Sequence, residues 1–204
     1  MDETIRKPKQ KRAIEKKEKI IDAGFELICE KGYYNTNTAE IAKKAGVSTG
    51  IVYQYFKDKY DIFMEGIERY GDEIFFPMIK LNSQYFDINN FEVLMKEMIK
   101  KYIKNHKISK TAHEEITAMI HSNPDVAKYY YKRELLMTNR IKKILIDKNF
   151  KENNLTEKVH IMIGLIDNLC HEIIYHKHTN MNYDIMTDII INNIKNLFND
   201  NINN

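Results

Sequence analysis

The stretch from Thr38 to Phe56 limits the fold most strongly, because it has the spacing of two short helices that cross closely. Ala42 is small at the predicted crossing point, and Gly46 can take the left-handed conformation that a tight interhelical turn often needs. The apolar side chains expected between the two helices are Ile41, Val47, Val52 and Phe56. This pattern predicts a helix-turn-helix, whose second helix has the right size for the DNA major groove.

Helical spacing continues on both sides of this stretch, and few residues interrupt it. Only 7 Gly and 3 Pro occur among 204 residues, which favours long helices over the many turns of an all-β protein. Ala13 to Lys31 repeats apolar residues at helical spacing, and Gly32 follows as a typical C-cap. The predicted N-caps are Asn37, with Glu40 completing a capping box, then Ser48 and Asp58. We therefore predict an all-α fold.

Longer helices are predicted after Pro77, over residues 90–106, 110–121, 125–150, 155–178 and 183–198. Asn123-Pro124 separates two of them, because proline disfavours helical backbone at the preceding residue. The predicted organisation is a basic arm over residues 1–12, a three-helix helix-turn-helix domain over 13–57, and a larger helical domain over 58–204.

Positive charge is concentrated near the N-terminus. Residues 5–19 contain eight Lys and Arg against Glu15 and Glu18, whereas the whole chain has a formal net charge of only +3. A basic arm on a near-neutral body is more typical of contact with nucleic acid or another anionic surface than of a generally basic protein. The segment Arg6 to Arg12 is expected to follow a phosphate backbone or enter the minor groove, or else to be a solvated tail.

The cysteines and the hydropathy pattern exclude several classes of protein. Cys29 and Cys170 lie in helical apolar patterns without CxxC spacing, so we expect neither a disulfide framework nor a zinc knuckle, and infer a reducing cytoplasm. No stretch approaches about 18 consecutive apolar residues. No apolar run follows the N-terminal charges either, so neither a membrane span nor a signal peptide is expected.

The segment Ile41-Ala-Lys-Lys-Ala-Gly-Val-Ser-Thr-Gly-Ile-Val-Tyr-Gln-Tyr-Phe-Lys-Asp-Lys59 combines a Gly-Val-Ser turn, a Tyr-x-Tyr-Phe ending and a following Lys. Together with Gly32-Tyr33, it resembles the DNA-binding domain of the TetR family over residues 1–65. The rest of the chain agrees only in length and helical layout. The resemblance implies a homodimeric transcriptional regulator, most often a repressor, that binds palindromic double-stranded operator DNA. It also implies that the second helical domain binds a ligand and dimerises.

The resemblance assigns DNA contacts by position. Thr38 and Lys59 are assigned to phosphate, and both begin predicted helices, where N–H groups and the helix dipole favour anions. Tyr53 is assigned to phosphate as well. Gly50 permits close backbone approach, and Gln54 can pair with N6 and N7 of adenine. The remaining predicted contacts are Ser48, Thr49 and Tyr55. The alternative for Tyr53 and Tyr55 is that they pack the small domain.

The resemblance further implies that helices 155–178 and 183–198 of two subunits form a four-helix dimer interface. Their apolar residues recur at helical spacing over more than one face. A small hydrophobic or amphipathic effector is expected to bind between helices of the second domain, and the helix beginning at Asp58 is expected to transmit the change. The candidate ligand contacts are Met98, Tyr102, Met119, Tyr130, Glu134, Met137, Asp167 and His171. The alternative interpretation is that the Met and aromatic residues are core.

Other functional classes receive less support. His171 and His176 are five residues apart, whereas the zinc-protease signature places its two histidines four apart on one helix face. No phosphate loop, nucleophile elbow or Cys–His pair is recognisable, so we predict no catalytic site, cofactor or defined metal site. Two further hypotheses are a helical interaction or ligand-carrier module, which would dimerise without DNA sequence preference, and a metal sensor, whose DNA affinity would depend on metal.

Overall fold

A computed structural model describes residues 11–75, 90–105 and 108–201. Within these ranges the chain forms helices joined by short connections, with no strand. The helices are α1 (Lys11–Lys31), α2 (Thr38–Ala45), α3 (Thr49–Tyr55), α4 (Lys59–Phe75), α5 (Phe91–Asn105), α6 (Lys110–Ser122), α7 (Pro124–Asp147), α8 (Leu155–Tyr175) and α9 (Tyr183–Leu197). The all-α prediction is confirmed. Most of the predicted basic arm, residues 1–12, lies outside the described residues.

The predicted helix ends are formed by local interactions. Asn37 and Glu40 make the capping box of α2, in which each side chain accepts the other residue's backbone N–H. Gly46 ends α2 in the left-handed conformation, with φ 69° and ψ 34°. Asp58 accepts the N–H groups of Tyr60 and Asp61 and so caps α4. Ser48 occupies the N-cap position of α3, but its side chain makes no capping hydrogen bond.

Two helices are shorter than predicted. The predicted helix 125–150 ends at Asp147, and Asn149 then adopts a left-handed φ of 65° that turns the chain away from the helix direction. The predicted helix 155–178 ends at Tyr175, because the backbone of His176, with φ −131° and ψ 30°, has left the helical region. Apolar periodicity alone does not show such turns.

The described residues form two compact units by contact. Unit 1 comprises those within Met1–Phe75 and Lys107–Tyr130, and unit 2 those within Phe76–His106 and Tyr131–Asn204. Unit 1 therefore extends past the predicted domain boundary at residue 57. The physical reason is that α4 and α6 supply buried apolar residues to the same core as α1, including Phe63, Ile67 and Ile116. We retain the division at residue 57 only as a proposal about function.

Unit 1 has a core with two neighbouring parts. The first packs α1, α2, α3 and α4 together through Ile20, Ile21, Ile41, Ala42, Val52, Tyr55, Phe56 and Ile62. The second packs α1, α4, α6 and the start of α7 through Phe25, Ile28, Phe63, Ile67, Ile116, Met119, Ile120 and Val126. Gly24 lets α1 approach α4, since a Cβ there would lie 2.5 Å from Ile62 Cγ2. The helix-turn-helix thus packs against buried side chains of α1 and α4.

Unit 2 packs α5 against α8 and α9, and α8 against α9. Asn201 is buried and joins the end of the chain to the connection before α8, donating to the carbonyls of Lys151 and Asn153 at 2.7 and 2.9 Å. Lys158 Nζ donates to the Asn201 side-chain oxygen at 2.6 Å. No helix among the described residues is both long and apolar enough to cross a membrane.

Candidate nucleic-acid interface

The beginning of α2 carries Thr38, a predicted phosphate contact. Thr38 is the first residue of the helix and is partly exposed. The capping box beside it uses the backbone N–H groups of Asn37 and Glu40. The Lys31 ammonium donates to the Glu40 carboxylate at 2.7 Å, and this hydrogen bond is the main reason that the pKa of Glu40 is lowered. Thr38 thus lies at a helix N-terminus, where backbone N–H groups favour anions, and its phosphate contact stays a prediction.

The outward side of α3 is polar. Thr49, Gly50 and Gln54 are exposed, and 50% of Tyr53 is exposed, whereas Val52 is buried. The exposed residues follow the i, i+3 and i+4 spacing of one helix side. A Cβ at Gly50 would meet nothing nearer than Ser48 Oγ, at 3.9 Å, so the space beyond this glycine is open. The α3 helix therefore offers hydroxyl, amide and bare backbone groups to a partner.

Tyr55, another predicted DNA contact, is buried in this structure. Only 5% of the residue is exposed, and it packs with Val52, Phe56 and Ile62 in the core of unit 1. Tyr55 lies three residues after the buried Val52 and therefore on the inward side of α3. Its side chain packs the domain, which is the alternative that the sequence left open, whereas Tyr53 is on the outward side.

Lys59, a predicted phosphate contact, makes hydrogen bonds within the chain. Its ammonium donates to the backbone carbonyls of Tyr33 and Thr36 at 2.7 and 2.8 Å, and lies 4.3 Å from the centre of the Tyr33 ring. Burial lowers the Lys59 pKa, and burial is also the largest cause of the raised pKa of Tyr33, about 12. In this structure Lys59 holds the turn between α1 and α2, and its contact with phosphate stays a prediction.

Glu115, on α6, reaches the same turn and was missed by the sequence analysis. Its Oε2 accepts the backbone N–H of Tyr34 at 3.0 Å. The two residues are 81 positions apart, so no local pattern indicates the contact. A Cβ at Gly32 would lie 2.6 Å from the same oxygen. The α1–α2 turn is thus in contact with α6 as well as with Lys59 of α4.

Residues 20–65 match a family model described as bacterial regulatory proteins, tetR family. Over 48 residues, 24% of this chain and 21% of the relative, the chain is 52% identical to the HTH-type transcriptional regulator HbdR of Aromatoleum sp. (strain CIB). It is 50% identical over 56 residues, 28% of each chain, to the fatty acid metabolism regulator protein of Bacillus subtilis (strain 168). Over residues 20–65, the chain is therefore similar to the DNA-binding region of TetR-family regulators. The sequence matches cover only about a quarter of each of these relatives.

The TetR-family fold extends beyond the matched sequence. The crystal structure of a protein assigned to this family from Mesorhizobium loti MAFF303099 superposes with a TM-score of 0.69 at 18% identity. The match covers 92% of this chain and 97% of that one. An N-terminal helix-turn-helix followed by a larger set of helices is therefore the architecture of this chain, as predicted. The second half shares the fold without close sequence similarity.

The candidate ligand contacts are divided between the two units. Met119 is buried in the core of unit 1, and Tyr130 packs against that core, so their apolar character is explained by packing. The other six belong to unit 2. Of these, Met137 is buried, Met98, Tyr102, Glu134 and His171 are partly buried, and Asp167 is exposed.

Asp167 combines solvent contact with a perturbed pKa. Surrounding protein atoms, and secondarily the negative charge of Glu134, raise its pKa from 3.8 to about 6. Asp167 is also exposed to solvent, so water offsets part of this desolvation. The pKa of His171 is lowered by burial and by His176, whose ring centre is 5.0 Å away. Among the described residues, no group of three or more His, Cys, Asp or Glu is placed to hold a metal ion.

Large apolar residues are exposed on α8 and α9, among polar ones. Ile161 of α8 is 49% exposed, and Ile185 and Ile189 of α9 are 58% and 55% exposed. The inward side of α9 is formed by other residues, since Ile191 and Ile194 are buried. A Cβ added at Gly164 of α8 would meet no atom within 4 Å. Ile185 and Ile189 lie on a helix predicted to form the dimer interface, and the protomer's own core does not bury them.

Proposed function

We propose that this protein is a DNA-binding transcriptional regulator rather than an enzyme, and that it acts in the cytoplasm on double-stranded operator DNA. The observation that carries the proposal is the polar outward side of α3, with Thr49, Gly50, Tyr53 and Gln54, in a helix-turn-helix that matches the TetR family. Hydroxyl and amide groups on a helix can form the hydrogen bonds that base edges and phosphates offer in a major groove. Thr38 and Ser48 are proposed as additional phosphate contacts.

The proposed functional unit is a homodimer formed through α8 and α9. Ile161, Ile185 and Ile189 supply exposed apolar surface that another copy of the chain can cover. A two-fold axis through this interface would present two copies of α3 to a palindromic operator, about 34–36 Å apart along the DNA. Dimerisation thereby doubles the number of base contacts without any new residue.

We further propose a repressor that releases its operator on binding a small hydrophobic or amphipathic molecule in the domain predicted over residues 58–204. The candidate contacts are the six in unit 2, Met98, Tyr102, Glu134, Met137, Asp167 and His171. Methionine adapts to irregular apolar ligands, whereas the ionisable groups suit a polar end. Release requires only that the ligand bind more tightly to the DNA-free conformation.

The test is fluorescence-anisotropy titration of the full chain with DNA from upstream of its own gene and with a scrambled duplex, each at two salt concentrations. We expect preference for the upstream duplex and an affinity that falls steeply with salt. Gln54→Ala should reduce the preference, whereas the matched control Asn139→Ala, at an exposed amide of α7, should not. Dimers that bind both duplexes equally and weakly, with no effect of Gln54→Ala, would instead support an interaction or carrier module.

A further inference from the structure

The turn between α1 and α2, residues 32–37, is contacted by two opposite charges. The Lys59 ammonium donates to the carbonyls of Tyr33 and Thr36, and the Glu115 carboxylate accepts the N–H of Tyr34. The positive charge therefore contacts carbonyl oxygens, which have a partial negative charge, and the negative charge contacts an N–H group, which has a partial positive charge. Hydrogen bonds with one ionised partner are stronger than neutral ones. We call Lys59 and Glu115 together the turn clamp.

The approach of Glu115 depends on the residue at position 32. Gly32 has a backbone φ of +95°, which residues other than glycine rarely adopt. A Cβ there would also lie 2.6 and 2.7 Å from the two carboxylate oxygens of Glu115. Glycine thus serves both the backbone turn that ends α1 and the space occupied by the carboxylate.

The helix that carries Glu115 is fixed to α1 by other interactions. Ser109 donates its backbone N–H to the carbonyl of Cys29 at 2.9 Å, just before α6 begins. Ile116, Met119 and Ile120 of α6 are buried with Ile28 and Phe63. Removing the Glu115 carboxylate therefore leaves the packing of α6 in place and changes chiefly the turn.

We propose that Glu115 is a positioning residue for DNA binding. With Lys59 it fixes the turn that leads into α2, and so the position of Thr38 at the start of that helix. The inference rests on the proposed function, because Thr38 is a proposed phosphate contact.

Three variants test this inference in the full chain: Glu115→Ala, Glu115→Gln and the control Glu114→Ala, whose exposed carboxylate lies 3.7 Å from Lys110 on the same helix. Loss of a negative charge alone should leave DNA affinity unchanged or increase it. We expect the opposite for Glu115→Ala, with operator affinity about fivefold to tenfold weaker and a salt dependence reduced by about one phosphate contact. Glu115→Gln should lie between, because its amide oxygen still accepts a hydrogen bond.

Amide hydrogen exchange of Tyr34 provides a readout that does not need DNA. Glu115→Ala should speed this exchange about tenfold or more, while the amides in the middle of α3 stay as protected as in the unmodified protein. The inference is overturned if Glu115→Ala matches Glu114→Ala in operator affinity, salt dependence and Tyr34 exchange. Absence of operator preference in the unmodified protein would instead refute the proposed function, and Tyr34 exchange would still decide whether the clamp exists. If Glu115→Ala does not fold, the operator affinity and the Tyr34 exchange of Glu115→Gln test the inference instead.

Discussion

The outward side of α3 and the outward side of α9 are exposed to similar extents but have opposite chemistry. Tyr53 of α3 is 50% exposed and lies among hydroxyl and amide groups, whereas Ile185 and Ile189 of α9 are 58% and 55% exposed and cannot form side-chain hydrogen bonds. Polar groups can exchange water for DNA without leaving unsatisfied donors or acceptors. Isoleucine gains only by being covered. The two surfaces therefore require different kinds of partner.

The two surfaces also differ in how they are supported. Beneath Tyr53, buried residues of α1, α2, α3 and α4 form one apolar cluster. On α9, by contrast, apolar residues lie on both sides of the helix. Ile185 and Ile189 are exposed on one side, and Ile191 and Ile194 are buried on the other. A helix with two apolar sides is unusual at the surface of a monomer.

The largest effect should separate two tyrosines of α3. Tyr55→Ala removes a ring that is 5% exposed and should lower the free energy of unfolding by about 3–5 kcal/mol. Tyr53→Ala removes a half-exposed ring and should change stability by less than about 0.5 kcal/mol while weakening operator binding. Urea denaturation followed by circular dichroism gives both stabilities. Equal losses of stability would mean that α3 has no distinct outward side.

Next in size is the effect of a charge on the apolar side of α9. Ile185→Glu places two like charges in a symmetric interface, and we expect dimerisation to weaken by about 3 kcal/mol, or more than a hundredfold in Kd. Sedimentation equilibrium measures this change. The control is Val93→Glu, at a residue of α5 that is 59% exposed. A dimer that tolerates Ile185→Glu as well as Val93→Glu would show that α9 does not form the interface.

A smaller effect is expected at Gly50, where stability and binding should change in opposite directions. Since only Ser48 Oγ lies within 4 Å of an added Cβ, Gly50→Ala should raise stability by about 0.5–1 kcal/mol through helix propensity. If the α3 backbone approaches DNA closely, the methyl group should weaken operator binding about tenfold, or 1.4 kcal/mol. Unchanged binding in anisotropy titrations would argue against close backbone approach at this position.

The structural features that could be predicted from the sequence are those formed by residues close together in the chain. The capping box of Asn37 and Glu40 spans three positions, and Gly46 ends α2 through its own backbone conformation, so both are visible locally. The burial of Tyr55 could also be predicted from the sequence, since Tyr55 follows the apolar Val52 by three residues and so lies on the same side of α3. The hydrogen bonds of Lys59 and Glu115 could not be predicted from the sequence, because their partners in the α1–α2 turn are more than twenty positions away. In unit 2, periodicity identified apolar helices but not which apolar side faces inward.

The smallest predicted effect concerns Asp167 of unit 2, whose pKa is raised from 3.8 to about 6 in the folded protein. Because the folded state holds this proton more tightly than the unfolded state, stability contributed by the group falls as pH rises from 3.8 to 6, and the penalty is complete above pH 6. Asp167→Asn should therefore be more stable than the unmodified protein at pH 7, by less than about 1 kcal/mol given the solvent exposure of the residue.

This advantage of Asp167→Asn should shrink when urea denaturation is repeated at pH 4.5, because the carboxyl group is then largely protonated in the folded state. The control Asp147→Asn removes an exposed carboxylate at the end of α7 and corrects for the change in net charge. An advantage of equal size at both pH values would show that the effect of Asp167 is steric. A pH-dependent advantage would show that unit 2, unlike the neutral polar side of α3, holds an ionisable group at an energetic disadvantage, as ligand-binding regions often do.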